Sequence, residues 1–197
     1  MSGGKLLEAI ASEILACRQC ELWRTRRNAV PGEGSPDSRI MFVGEAPGYR
    51  EDIEGKPFVG SAGEFLETLL PTANLSRENV FIGNILKCRP PRNREPRSVE
   101  IETCTPYLDK QIQIIKPEVI ATLGRYATGY IFSKNGLRFD GIAKARGKPF
   151  EAVILKMPVL IFPTFHPAAA LYSGEYRRLL RRDFKQLKRL IDKRLNG

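Results

Sequence analysis

Four cysteines are the residues of this 197-residue chain whose type and spacing point most directly to chemistry. Cys17 and Cys20 form a C-x-x-C pair, and Cys88 and Cys104 follow much later in the chain. In a compartment that keeps thiols reduced, such a set indicates metal or redox chemistry rather than disulfides. Four thiolates suit a tetrahedral zinc or a 4Fe-4S cluster, and spacing alone does not choose between them. Four unrelated core thiols are the plainer reading. Arg18, Lys87, Arg89, Arg92 and Arg94 lie close to these cysteines in the sequence, where cations would lower thiolate pKa values and offset an anionic cluster.

A second constellation is built from oxygen and nitrogen. The stretch GEAPGYREDIEGKPFVGSAG, residues 44–63, follows the apolar run RIMFV and holds five glycines and four acidic side chains. No G-K-[ST] follows it and it lacks the G-x-G-x-x-G spacing, which argues against a phosphate ligand and a nucleotide-binding role. Gly44 and Gly48 instead let the backbone approach a ligand closely, Pro47 stiffens the turn, and Glu45 projects where a strand ends. GEAPG, GNILKC and FPTFHPAAAL each follow an apolar run, and ligands of open α/β sheets bind beyond the carboxyl ends of the strands. One rim therefore gathers Glu45, Asn84 and the single histidine, His166.

The elements that must position these groups are legible as runs and periods. IMFV (40–43), VFIG (80–83), VIATL (119–123) and VLIF (159–162) are continuous apolar runs, as expected of parallel strands covered on both faces. Helical patterns lie between them at about 62–70, 98–115 and 124–133, and another runs from about 6 to 20 with Leu7, Ile10, Ile14 and Cys17 on one face. The alternation predicts a three-layer α/β/α sandwich around a central, mainly parallel four-stranded sheet, in a single domain spanning 1–197. The tail, 175–195, puts Leu180, Phe184, Leu187 and Ile191 opposite a row of arginines and lysines, an amphipathic helix whose basic side faces solvent or phosphate.

A net charge of +10 favours a polyanionic partner, because Lys and Arg that neutralise phosphates supply most non-specific nucleic-acid affinity. Lys116, Arg125, Lys144, Arg146 and Lys148 are further candidates for such contacts. No apolar stretch approaches the roughly 18 residues of a membrane span, and the N-terminus lacks the secretory pattern, so a cytoplasmic location is expected.

Taken together, the residues resemble the thermostable iron–sulfur uracil-DNA glycosylases, family 4 of the uracil-DNA glycosylase superfamily. GEAPGYREDIEGKPFVGSAG, NILKCRPPRNREP, HPAAAL and the order of the four cysteines carry the resemblance, over nearly the whole chain. It implies a monofunctional base excision repair enzyme that flips deoxyuridine out of single- or double-stranded DNA, hydrolyses its N-glycosidic bond and leaves an abasic site. A monomer associated with the nucleoid through DNA binding is expected, while no feature of the chain names a replication-clamp partner. A non-catalytic iron–sulfur DNA-binding protein is the alternative that charge and cysteines alone would allow.

The resemblance assigns roles residue by residue. Gly44, Glu45 and Ala46 border the uracil, Phe58 stacks on it, Asn84 reads its N3–H and O4, and His166 stands beside O2, where charge accumulates as the base leaves. Leu171 is the apolar wedge that fills the gap in the DNA stack. Ala46 stands, as in other members of this family, where the best-known uracil glycosylases of the superfamily have an aspartate that activates water, leaving Glu45, Glu51 or Asp52 to handle water, with Asn93 to anchor one of the latter two. Cys17, Cys20, Cys88 and Cys104 match the ligands of a structural 4Fe-4S cluster, which on this ground displaces zinc.

Overall fold

The computed structural model describes residues 2–195. Its sheet holds β1 (Glu33–Gly34), β2 (Ile40–Gly44), β3 (Phe81–Asn84), β4 (Val119–Leu123), β5 (Phe150–Ile154) and β6 (Met157–Thr164). The order across it is β1-β3-β2-β4-β6-β5. The four expected strands form the parallel centre, β3-β2-β4-β6. The sheet is six-stranded rather than four-stranded because an antiparallel strand is added at each edge. With two residues, β1 is too short to show a period, and β5 alternates in burial instead of forming an apolar run. β5 and β6 are joined through Leu155 and Lys156, with φ of 51° and 68°, the positive-φ pair that matches the twist of a tight hairpin.

Alternate strand residues enter two separate cores. Met41, Val43, Phe81 and Ile161 face one layer of helices, α1 (Gly3–Ala16), α4 (Ser98–Ile115) and α5 (Arg125–Ser133). Ile40, Phe42, Ile82 and Phe162 face the other, α3 (Ser61–Leu69) and α7 (Gly174–Leu195). Two short helices complete the set, α2 (Tyr49–Glu54) and α6 (Ile142–Ala145). The three-layer α/β/α expectation therefore holds. Phe42 of β2 stacks on Phe184 of α7 with ring centroids 5.8 Å apart, worth about 0.5–1.5 kcal/mol beyond the area buried. α7 is also fastened by buried Asp183, which accepts from Thr164 Oγ1 (2.6 Å) and Arg146 Nε (3.0 Å) at the end of β6.

α1 ends at Ala16, about a turn earlier than its apolar period suggests. The Arg26 guanidinium explains the stop: its Nη2 donates to the carbonyls of Leu15 (2.8 Å) and Cys17 (3.0 Å), supplying partners that a helix end otherwise lacks. Cys17 is consequently extended rather than helical, and Cys20 lies in the following loop. Among the described residues no helix is long and apolar enough to cross a membrane.

Candidate active site

The parallel strands deliver their carboxyl ends to one rim, where a pocket of about 410 Å³ opens. Glu45 follows the last residue of β2, Asn84 closes β3, and His166 lies two residues beyond β6; all three line the pocket, with Ala46, Glu51, Phe58 and Asn93. Gly44 makes this convergence possible. A Cβ there would meet Phe58 Cζ at 2.6 Å and collide with Asn84 Oδ1, so a side chain at 44 would push both from the pocket. Asn84 is only 2% exposed, and its Oδ1 is buried without a hydrogen-bond partner. An orphaned acceptor costs about 1–3 kcal/mol, a cost that a ligand's N–H removes.

His166 is held in one tautomer. Its Nδ1 accepts from the backbone N–H of Ala168 at 3.2 Å, so in the neutral ring the proton resides on Nε2. Burial lowers its pKa to about 4 against the opposing pull of the Glu51 carboxylate, leaving the imidazole neutral at physiological pH. The Phe58 ring stacks against it, with centroids 5.6 Å apart and planes inclined by 27°. Phe58 occupies the left-handed region at φ 51°, which costs a non-glycine residue energy and must be enforced from outside. Arg77 does so: its guanidinium donates to the carbonyls of Phe58 (3.2 Å) and Pro57 while paired with Glu33 (3.1 Å) and Glu67 (2.8 Å). This role of Arg77 escapes a sequence reading because the contacts that hold Phe58 go to backbone oxygens 19 and 20 residues away.

The carboxylates divide sharply. Glu51 spends both oxygens on backbone donors, Oε2 on Gly48 N (3.1 Å) and Oε1 on Val59 N (2.9 Å) and Gly60 N (2.8 Å), so it laces the glycine loop to the start of α3. Asp52 does not line the pocket; its Oδ1 accepts from Arg27 N at 2.9 Å. Asn93 does line it and its Oδ1 accepts from Arg89 Nε (2.7 Å), but among the described residues no hydrogen bond joins it to Glu51 or Asp52, contrary to that expectation. Glu45 alone of the three carboxylates has no side-chain hydrogen bond among the described residues. Burial pushes its pKa up, with Arg125 opposing and Glu95 adding to the shift.

Leu171 stands outside the pocket, 39% exposed at the end of the 3-10 turn Pro167–Leu171, beside a shallow depression shared with Phe65 and Arg177. Its neighbour Tyr172 is 89% exposed, a feature that no periodicity marks. A larger concavity of about 690 Å³ runs between α4 and α5 along Ile101, Tyr126 and Phe139, but it contains none of the rim groups. Chemistry, rather than size, selects the rim pocket.

On the α1 side of the sheet, Cys17, Cys20, Cys88 and Cys104 line one small cavity with Trp23, Arg26 and Lys87. No group of three or more described His, Cys, Asp or Glu residues is placed to hold a single metal ion. The donor set nevertheless suits an anionic cluster: Arg26 Nη1 donates to Cys88 Sγ (2.9 Å) and Lys87 N to Cys104 Sγ (3.2 Å). Among the described residues none of the cations near the thiols in sequence directs its charged group at a sulfur: Lys87 reaches Cys104 through its backbone N–H, Arg18 lies over Trp23 and Arg94 pairs with Glu100. Burial outweighs these cations, raising the Cys20 and Cys88 thiols and pushing Cys104 up to about 12, contrary to the lowering expected from sequence. Lys87 itself is 1% exposed, and its Nζ donates to the Asn84 carbonyl (3.0 Å) and to Gln111 Oε1 (2.8 Å). One residue thus ties the cysteine cavity to the backbone of the pocket asparagine.

Comparison with known proteins agrees with this architecture. The model of the uracil DNA glycosylase superfamily matches residues 31–188. The chain is 52% identical to a type-4 uracil-DNA glycosylase of Sulfurisphaera tokodaii, over 93% of this chain and 84% of that protein. It is 44% identical to one of Archaeoglobus fulgidus, over 95% and 94%, and 42% identical to one of Thermotoga maritima, over 96% of each. A parallel sheet with a polar pocket at its carboxyl rim, matched along almost its full length, places the chain in the uracil DNA glycosylase superfamily, with the type-4 uracil-DNA glycosylases.

Proposed function

We propose that this protein hydrolyses the N-glycosidic bond of deoxyuridine in DNA, releasing uracil and leaving an abasic site. The observation that carries this reading is the buried, unpartnered Oδ1 of Asn84, a residue that lines the pocket. Uracil offers N3–H to that acceptor and O4 to the amide N–H of the same side chain; cytosine presents the reverse, an acceptor at N3 and a donor at N4. The extruded base lies against Phe58, and the neutral His166 aims Nε2–H at O2. As the C1′–N1 bond breaks, its electron pair passes to the base and O2 gains charge, so this hydrogen bond strengthens towards the transition state. Glu45, whose oxygens are not committed to the protein, faces the sugar carbon that becomes cationic and orients the water that adds to C1′. Glu51 supports the loop from behind.

The reading is tested with an oligonucleotide carrying one uracil, against thymine and cytosine controls. An alkali-labile site in the uracil strand alone is the expected result; intact single- and double-stranded uracil DNA would refute it. The non-catalytic alternative has no use for an orphaned acceptor beside a tautomer-fixed histidine.

Cys17, Cys20, Cys88 and Cys104 would hold a 4Fe-4S cluster, supported by their common cavity and the N–H donors directed at two of the sulfurs. Such a group supplies electron-transfer chemistry that hydrolysis does not use; here it would cross-link the end of α1 to the segment around α4. Purified protein is expected to absorb broadly near about 400 nm and to lose the band and thermal stability together in Cys104→Ser. Colourless protein with stoichiometric zinc would replace the cluster with a zinc site.

A further inference from the structure

α7 leaves the rim and crosses the molecule. It begins just beyond Leu171, where Arg177 Nε donates to the Ala170 carbonyl (2.8 Å). It ends at the amino ends of the central strands, where the Leu195 carbonyl accepts from Arg39 (3.3 Å), the residue preceding β2. Its 22 residues span about 33 Å at 1.5 Å per residue. Leu180, Phe184, Leu187 and Ile191 are buried on one side. Arg178, Arg182, Lys185, Arg189 and Lys193, spaced by four, three, four and four, form an exposed stripe on the opposite side. None of the five is in an ion pair among the described residues, and the exposed acids of the helix, Glu175 and Asp192, are too few to neutralise them.

A solvated face would ordinarily carry mixed charge. The stripe instead concentrates cations along about 22 Å, the length of some six base-pair steps at 3.4 Å each. The pocket lies at the rim near the start of α7, whereas Lys185, Arg189 and Lys193 lie about three to five turns further along the helix, away from it. We propose that this stripe is a second nucleic-acid site, binding the phosphates of a DNA segment other than the one in the pocket, so that the enzyme can bridge segments and transfer between them. A lipid surface is disfavoured because the apolar side of α7 is already buried against Phe42 and α3, leaving nothing to insert. The inference rests on the proposed glycosylase reading only for the identity of the polyanion, and binding to undamaged DNA separates the failure of one from that of the other.

The test reverses charge far from the rim, in a Lys185→Glu, Arg189→Glu, Lys193→Glu triple variant, with the Gln triple variant as a check that folding is unaffected. Excision from a uracil oligonucleotide too short to reach the stripe should stay within about two-fold of the parent. Affinity for long undamaged duplex should fall at least ten-fold at low salt, and the slope of log affinity against log salt should become shallower by about three, since each lost phosphate contact removes about 0.9. Transfer between duplexes, read as faster dissociation when free undamaged DNA is added, should disappear. Unchanged duplex affinity and slope would overturn the proposal, as would an equal loss on the short oligonucleotide or equally effective competition by polyglutamate.

Discussion

Replacing His166 with alanine is expected to slow single-turnover uracil excision by about 10²–10³-fold, the loss usual for one preorganised donor to a developing oxyanion. The expectation follows from the geometry around the ring. The bond from Ala168 N to Nδ1 assigns the proton to Nε2 of this pocket-lining ring before any substrate arrives. A neutral donor is the appropriate one, because a cation would have to be desolvated in a pocket where burial already lowers its pKa to about 4. DNA binding should change little, since phosphates rather than O2 supply most of the affinity. A variant within a few-fold of the parent, or one that loses binding and excision in parallel, would remove His166 from the chemistry.

The same environment fixes how pH enters. With the folded pKa near 4, the imidazole stays neutral as pH falls through the unfolded value of about 6.5, so the excision profile should show no histidine limb there. Stability behaves differently. Between those two values the unfolded chain binds a proton that the folded chain refuses, so the contribution of His166 is complete above about pH 6.5 and declines as pH drops towards 4. Excision rates titrating near 6.5 in the folded enzyme would show that the ring is not held as described.

What could be anticipated from the amino-acid order was the set of groups at strand ends. Glu45, Asn84 and His166 each follow a continuous apolar run, and a parallel sheet must send all such ends to one rim. What escaped was whatever depends on backbone partners. A sequence shows that Glu51 is a carboxylate but not that the amides of Val59 and Gly60 will consume it, since backbone N–H groups leave no residue signature. Arg26 and Arg77 were opaque for the same reason: one closes α1 and reaches Cys88, 62 residues away, and the other enforces the strained Phe58. The edge strands were missed because a two-residue pairing and a half-exposed strand carry little apolar signal. With Ala46 in place of a carboxylate, the water-handling group was left open in the sequence; the hydrogen bonds that engage Glu51 and Asp52 are the reason the proposed function gives that role to Glu45.

Changing Asn84 should alter which base is accepted as well as the rate. In Asn84→Ala the pocket loses an acceptor that is buried and unpartnered among the described residues, and uracil excision is expected to fall by about 10²-fold or more, as an unpaired N3–H and O4 each cost about 1–3 kcal/mol. Those two terms also set discrimination in the parent: with cytosine both partners are mismatched, giving about 2–6 kcal/mol, or roughly 30-fold to 10⁴-fold. Alanine removes both terms and should bring uracil and cytosine rates close together. Aspartate goes further, because a carboxylate accepts from cytosine N4–H and has nothing to donate to uracil O4, so Asn84→Asp should lose uracil excision steeply and gain a measurable rate on cytosine. Parallel assays on uracil and cytosine oligonucleotides decide the point. If the alanine variant still excluded cytosine as strongly as the parent, selectivity would have to come from pocket shape around Gly44 and Phe58, where a single Cβ already has no room, and not from the asparagine.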